Sequence, residues 1–209
     1  MASDFNLMQL DHVSVPNDLL AFAKNELILG VKQSNHPFHT CVLGSMTLEG
    51  NPDLRTVVSR GVNSEFDQVR VHSDQRSLKN QQLQQHKDVA LLYYSPQQKL
   101  QVRLKGKATV VNHGDINTDF FASSTPHSQI CYAYPLAPGT PIDLPKKETM
   151  FNEINVSQID QIKPQALANF SHIIIHFNSA DILWLNRRGH IRVASQLTDS
   201  GWNSKFIVA

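Results

Sequence analysis

The sequence predicts a mainly β fold, an antiparallel β-barrel with helical additions. Short apolar or alternating segments recur along most of the chain, separated by clusters rich in Gly, Pro, Asn and Ser. Only a few stretches carry a helical apolar period, and they do not alternate regularly with the strands. The clearest alternation is Lys99 to Val111, where Leu100, Val102 and Leu104 share one face and Gln101, Arg103 and Lys105 the other.

The elements follow in order. Pro16 to Gly30 reads as the first helix, with Leu20, Ala23 and Leu27 at helical spacing, proline near its start and glycine at its end. Phe38–Leu48, Leu54–Gly61 and Val69–Ser73 read as strands, the first two joined through Glu49-Gly50-Asn51-Pro52. A helix opened by Ser73 or Asp74 runs to about Gln85, and its Gln81–Gln85 run reads as a solvated face. Val89–Tyr94 and Lys99–Val111 are strands, and Asp115 to about Ser123 is a second helix. Residues 132–147 hold four prolines and Gly139, which excludes a regular helix or a central strand and suits a lid loop. Pro164–Phe170 reads as a short helix. His172–Asn178 and Ile182–Asn186 read as a strand pair, followed by strands at Gly189–Gln196 and Trp202–Val208. No internal repeat or linker divides the chain, so residues 1–209 are expected to form one domain.

Composition excludes several function classes. Nineteen basic residues against eighteen acidic ones give a net charge of +1, too little for non-specific nucleic-acid binding. Cys41 and Cys131 are the two cysteines, so neither a disulfide framework nor a zinc pair is expected. Ten histidines show no metal-ligating spacing: His172 and His176 share a strand face at roughly 13 Å by the usual rise per residue. No metal is expected. With no basic-apolar leader and no apolar run of membrane-spanning length, a soluble cytoplasmic protein is expected, with no membrane partner.

The chemistry concentrates between Arg55 and Lys79. A strand, Arg55-Thr56-Val57-Val58-Ser59-Arg60, precedes Val71-His72-Ser73-Asp74 and a helix start carrying Arg76, Ser77 and Lys79. A helix N-terminus offers free N–H groups and a partial positive charge, and cations placed there oppose the helix dipole. That mismatch favours an anionic ligand such as a phosphate. Arg55 and Arg60 lie five apart, on opposite strand faces, and so take different roles.

These blocks, with Val89–Tyr94 and Leu100-Gln101-Val102-Arg103-Leu104-Lys105-Gly106-Lys107-Ala108, resemble the FMN-binding core of the pyridoxamine 5′-phosphate oxidase-like flavoproteins. The similarity is good over Phe38 to Ala108 and weaker beyond. It implies an FMN-binding split β-barrel that works as a homodimer with the flavin in the subunit interface. It further implies that Arg55, Thr56, Val57, Val58, Ser59 and Arg60 line the flavin, with Arg55 towards the phosphate. His72 and Ser73 would lie against the ring, Lys79 would hold the phosphate with Arg76 and Ser77, and Gln101 would meet the ring's polar edge. Trp184 and Arg192 would stand near the cofactor, and Arg60, Ser128 and Arg192 would face a small-molecule substrate.

The chain departs from the family where the substrate phosphate is held. Leu78-Lys79 stands where the family has Arg-Lys, and Phe120, Phe121, Ser124 and Thr125 replace a tyrosine and an arginine, with Ser128 kept. Leu136-Ala137 replaces a Gln-Ser pair, and Arg187–Ala194 does not reproduce an Arg-x-His-x-Arg cluster. The resemblance therefore implies an FMN-dependent oxidoreductase with an altered substrate site. The alternatives are a non-catalytic flavin-binding stress or carrier protein, and a haem-binding split barrel.

Overall fold

The computed structural model describes residues 13–143 and 159–209. Helix α1 (Pro16–Lys32) begins with proline at its first turn, and the Asp18 carboxylate accepts the N–H groups of Ser14 at 2.7 Å and Val15 at 2.8 Å. Those bonds, the one from Val15 foremost, hold the Asp18 carboxyl below the usual carboxylate range. Leu19, Leu20, Ala23 and Leu27 form the buried stripe that seals α1 onto the barrel.

Eight strands follow: β1 (Thr40–Met46), β2 (Pro52–Val62), β3 (Gln68–Asp74), β4 (Asp88–Ser95), β5 (Leu100–Val111), β6 (Phe170–Trp184), β7 (Ile191–Thr198) and β8 (Gly201–Ile207). Helix α2 (Leu78–Gln85) lies between β3 and β4; α3 (Asp115–Ala122), α4 (Pro126–Ile130) and α5 (Ile159–Asn169) lie between β5 and β6. The sheet order is β3-β2-β1-β4-β5-β6-β7-β8, and β3 also pairs with β6. That extra pairing closes β1 to β6 into a six-stranded antiparallel barrel, with β7 and β8 extending from the far half of β6. Inward residues such as Leu43, Val71, Leu91, Tyr93, Leu100 and Ile173 fill it.

Inside the barrel the Tyr93 hydroxyl lies 2.7 Å from Ser59 Oγ, with both residues buried. Burial pushes the neighbouring Cys41 thiol up to about 11, so it stays a neutral packing group. Tyr93→Phe would take that bond from the Ser59 hydroxyl and leave it the weaker Cys41 thiol. It is expected to cost about 1 kcal/mol, read as a lowered midpoint in urea unfolding with an unchanged slope.

Three sequence expectations are corrected. Ser73 and Asp74 end β3, and α2 starts at Leu78 with Ser77 before it. His172–Asn178 and Ile182–Asn186 are not two strands but parts of the single strand β6. It remains continuous because β5 pairs along it from Leu100↔Trp184 to Val111↔His172, with one register shift at Lys105/Gly106. Helix α5 starts at Ile159, and Pro164 lies inside it. The Pro-rich stretch is irregular over residues 132–143; its remainder, 144–147, falls outside the described residues.

Candidate functional site

Where β2 begins and α2 begins, basic groups gather. Arg55 points along the inward face of β2 to the barrel end, where it donates to Gln82 Oε1 at 2.9 Å, to Ser45 and to the Asp53 carboxylate. Ser73 and Ser77 Oγ lie 3.2 Å apart. The Ser77 side chain makes no capping bond, so the first amides of α2 are free of a side-chain acceptor. Lys79 sits in this first turn, largely buried. Among the described residues its ammonium has neither an ion pair nor a hydrogen bond. Burial, reinforced by the Arg55 charge and opposed by Asp74, pulls the Lys79 ammonium down to about 8.

Arg76 is engaged differently. Its guanidinium forks onto Asp74, Nε to Oδ1 at 3.0 Å and Nη2 to Oδ2 at 2.6 Å, and Nη1 reaches Pro135 O at 3.2 Å. It ties β3 to the Pro-rich stretch. A cavity of about 290 Å³ opens there between Asp74, Cys131 and residues 134–142. A larger one, about 540 Å³, lies beside Lys105, Gly106 and His176, away from these groups.

Along β2, Val57 and Ser59 point into the core while Thr56 and Val58 lie on the outer face. The ladder to β3 pairs Ser59 with Val71 and then Gly61 with Arg70, leaving Arg60 as the extra residue of a β-bulge. On β3 the outward side chains are Arg70 and His72, the latter directly opposite His172 of β6. Helices α3 to α5 cover this patch: Phe120 stacks edge-on against His172 at 4.9 Å, and His72 and Tyr132 against Phe170 at 4.9 and 5.0 Å. Burial, then the charges of Arg60 and Arg70, push the His72 imidazole down to about 3, so it is neutral at physiological pH.

The remaining sequence-predicted residues lie elsewhere on the chain. Gln101 pairs with Tyr94 and Leu183, and Leu183 with Arg192, so these form one row across β4 to β7. Around the closed barrel β5 lies three strands from β2 in either direction, a path of roughly 14 Å at the usual strand spacing, and β7, paired with β6, is three strands from β2 through β3 and β6. Arg192 forks onto Asp181, Nε to Oδ1 at 3.2 Å and Nη2 to Oδ2 at 2.8 Å, and shares it with Arg103. Trp184 is buried in the barrel core with its indole N–H on Gln98 O at 3.0 Å. Ser128, in α4, accepts the Thr125 hydroxyl at 3.0 Å.

Residues 22–112 match the family model described as pyridoxamine 5′-phosphate oxidase, FMN-binding domain. Over 90% of this chain and 96% of the other, the fold superposes on a pyridoxamine 5′-phosphate oxidase-related, FMN-binding protein of Nostoc punctiforme, at TM-score 0.71 and 22% identity. The fold is that of these split barrels, and the family match covers residues 22–112. PhzG of Burkholderia lata, solved with tetrahydrophenazine-1-carboxylic acid, shares the fold at TM-score 0.68 and 12% identity over 98% of both chains. A pyridoxine/pyridoxamine 5′-phosphate oxidase of Leptospira interrogans is 25% identical over 126 residues. That alignment covers 60% of this chain and 58% of the Leptospira protein, so the chain spans about three-fifths of the curated relative's length.

The split barrel separates into two groups the residues that the sequence joined in one block: Arg55, Ser73, Ser77 and Lys79 at the barrel end, and Arg60 with His72 on the outer face. Sequence reasoning missed Gln82, Arg70 and Asp74 as the groups that position them. Gln82 was expected on a solvated helix face; it is buried, because it turns inward to Arg55 and the start of β2. Its one visible signal was Leu83 beside it, the apolar residue of the otherwise polar run from Lys79 to Gln85.

Proposed function

We propose that this chain binds FMN and acts as an FMN-dependent oxidoreductase related to pyridoxamine 5′-phosphate oxidase, with an altered substrate-phosphate site. The observation that carries the reading is the Lys79 ammonium, largely buried beside Arg55 at a helix start with no side-chain cap, and in no ion pair among the described residues. A buried cation of this kind is costly unless an anion meets it, and a phosphate suits both the charge and the free amides. Lys79, Arg55 and Ser77 would hold that phosphate, and the outer edge of β2 from Thr56 to Arg60 would flank the ring. Arg76, occupied by Asp74, would act by fixing the turn. When bound, FMN supplies two-electron redox chemistry, which no side chain of the protein offers.

A homodimer with the flavin between subunits belongs to the same proposal. Gln101 stands on β5, on the wall of the barrel opposite β2, and Arg192 on β7, three strands from β2 through β6, and a second copy could bring both to one ring with β2. The outer sheet face also exposes Leu54, Leu92 and Tyr94, at 70%, 37% and 46%, a patch suited to burial against another copy. Diluting the flavin-loaded protein below its dimer dissociation constant is expected to release FMN, seen as a rise in flavin fluorescence. Constant fluorescence as the dimer dissociates in parallel light scattering would place the site within one chain.

The deciding experiment is an absorption spectrum of the purified protein, followed by anaerobic addition of pyridoxamine 5′-phosphate. Flavin bands are expected. Bleaching on addition would identify that phosphate ester as a substrate, and persistence would support a different substrate. Absence of flavin bands even after FMN is supplied would overturn the proposal. A second reading, flavin carriage without turnover, is favoured by Arg192: its fork onto Asp181 occupies a group expected to face the substrate. Lack of bleaching with any reductant substrate, with FMN affinity retained, would select it.

A further inference from the structure

Two hairpin turns meet at the end of the barrel opposite Arg55. Gly44 pairs with both Leu54 and Ala90, so β4 starts level with the start of β2 and ends, at Ser95, on the far side. There the β4–β5 turn is tied to the exit of β6 by two bonds. The Trp184 indole N–H donates to Gln98 O at 3.0 Å, and the Leu185 N–H donates to Lys99 O at 2.9 Å. A cleft of about 330 Å³ lies between the two turns, a volume at the lower end of the range for small-molecule sites.

Gln98, one of the residues lining this cleft, is only 5% exposed. Its backbone is engaged on both sides: the N–H donates to Ser95 Oγ at 3.3 Å and the carbonyl accepts from Trp184. Its side-chain amide is not, since neither Nε2 nor Oε1 has a hydrogen-bond partner among the described residues. A buried amide is costly unless its donor and its acceptor are both met. Lys99, Arg187 and Arg188 line the same cleft, and no lining residue is acidic. Among the described residues none of these three side chains makes an ion pair or a hydrogen bond. The arginine tip is ordered by its backbone, with the Arg188 N–H on Asn186 Oδ1 at 2.9 Å and the Asn186 N–H on His190 Nδ1 at 3.2 Å. Cations at a hairpin tip are stable in water without a ligand; a buried, unpartnered amide beside them is not accounted for in that way.

The two features select a ligand together. Three cations without an acid select an anion. An amide that donates and accepts selects a flat edge with an acceptor beside a donor, as adenine presents to glutamine. We propose that the cleft between the β4–β5 and β6–β7 turns is a nucleotide site, separate from the phosphate-binding group at Lys79. Gln98 pairs with the edge of the base, and Lys99, Arg187 and Arg188 meet the phosphate. The site is independent of the flavin reading.

The test is isothermal titration calorimetry with adenosine 5′-monophosphate, adenosine and inorganic phosphate, on the purified protein supplied with one equivalent of FMN. The monophosphate is expected to bind without releasing flavin, and adenosine and phosphate each at least tenfold more weakly. Gln98→Leu is expected to reduce the monophosphate to the level of phosphate, and joint Arg187→Met and Arg188→Met to the level of adenosine. Lys79→Met is expected to leave all three unchanged. Both arginines are exposed, so their variant remains informative if Gln98→Leu fails to fold. No binding of the monophosphate, release of FMN by it, unchanged affinity in either folded cleft variant, or loss of binding in Lys79→Met overturns the site. A protein that binds the monophosphate through these residues yet takes up no FMN keeps this inference and discards the flavin reading.

Discussion

Lys79→Met is expected to weaken FMN binding by about 1.5–3 kcal/mol at pH 7, the range for a charged hydrogen bond to a phosphate. The same change is expected to stabilise the flavin-free protein. Removing a buried, uncompensated ammonium while keeping an apolar stem relieves the cost that pulls Lys79 down to about 8. That cost is of the order of 1–3 kcal/mol, from the drop between the ordinary lysine value and about 8, discounted for partial exposure. A purely structural lysine would give the opposite: loss of stability and no effect on flavin. Flavin titration and thermal unfolding on the same two proteins separate the cases, and unchanged FMN affinity would sink the phosphate assignment.

The sign of the pH dependence follows from the same group. Between about 8 and the ordinary lysine value the unfolded chain binds more protons at Lys79 than the folded one. Stability of the flavin-free protein therefore gains from this residue as pH rises through that window, and Lys79→Met abolishes the gain. A bound phosphate reverses the preference by favouring the ammonium, so FMN affinity is expected to fall as pH rises above about 8. Titrations at pH 7 and pH 9 check both directions. The wild type should lose affinity between them and the methionine variant should not.

Much of the fold was legible because burial on one face imposes a period of two. Leu100, Val102 and Leu104 were assigned to the core from alternation alone, and all three are buried in it. The basic residues around α2 were legible because cations at a helix start run against the dipole. What could not be read depends on register. Arg70 is an unremarkable strand residue in sequence, and it is held in place only because the Arg60 bulge sets it beside Gly61 and beneath Phe120. The roles of Gln101 and Arg192 were inferred from resemblance, and their distance from β2 is a property of strand order, which no local pattern encodes. The α2 boundary was misplaced because Ser73 and Asp74 are good capping residues. Pairing of Ser73 and Asp74 with Ser171 and Phe170 holds them in β3 instead.

Strand β6 shows the same limit and yields the prediction with the largest effect on stability. Its inward residues are Ile173, Ile175 and Phe177, then Ala180, Ile182 and Trp184: odd numbers followed by even ones. Asn178 is the extra residue, since Gly106 pairs with Phe177 and Lys105 with Ser179. One inserted residue inverts the alternation, which is why the sequence read as two strands. The bulge brings the β6 backbone against Gly106. A Cβ there would lie 1.9 Å from His176 O, 2.5 Å from Phe177 Cα and 2.7 Å from His176 C, all backbone atoms that cannot rotate aside. Gly106→Ala is therefore expected to cost at least about 3 kcal/mol, lowering Tm by roughly 6–12 °C for a chain of this size, or to prevent folding. Gly50→Ala is the control. Gly50 has φ +83° and nothing within 4 Å of a built Cβ, so only the left-handed backbone penalty applies, about 1–2 kcal/mol. If Gly106→Ala unfolds no earlier than Gly50→Ala, the close β5–β6 approach at the bulge is wrong. The barrel would then close with a different register from the one that sets Arg70 opposite Gly61 and His72 opposite His172.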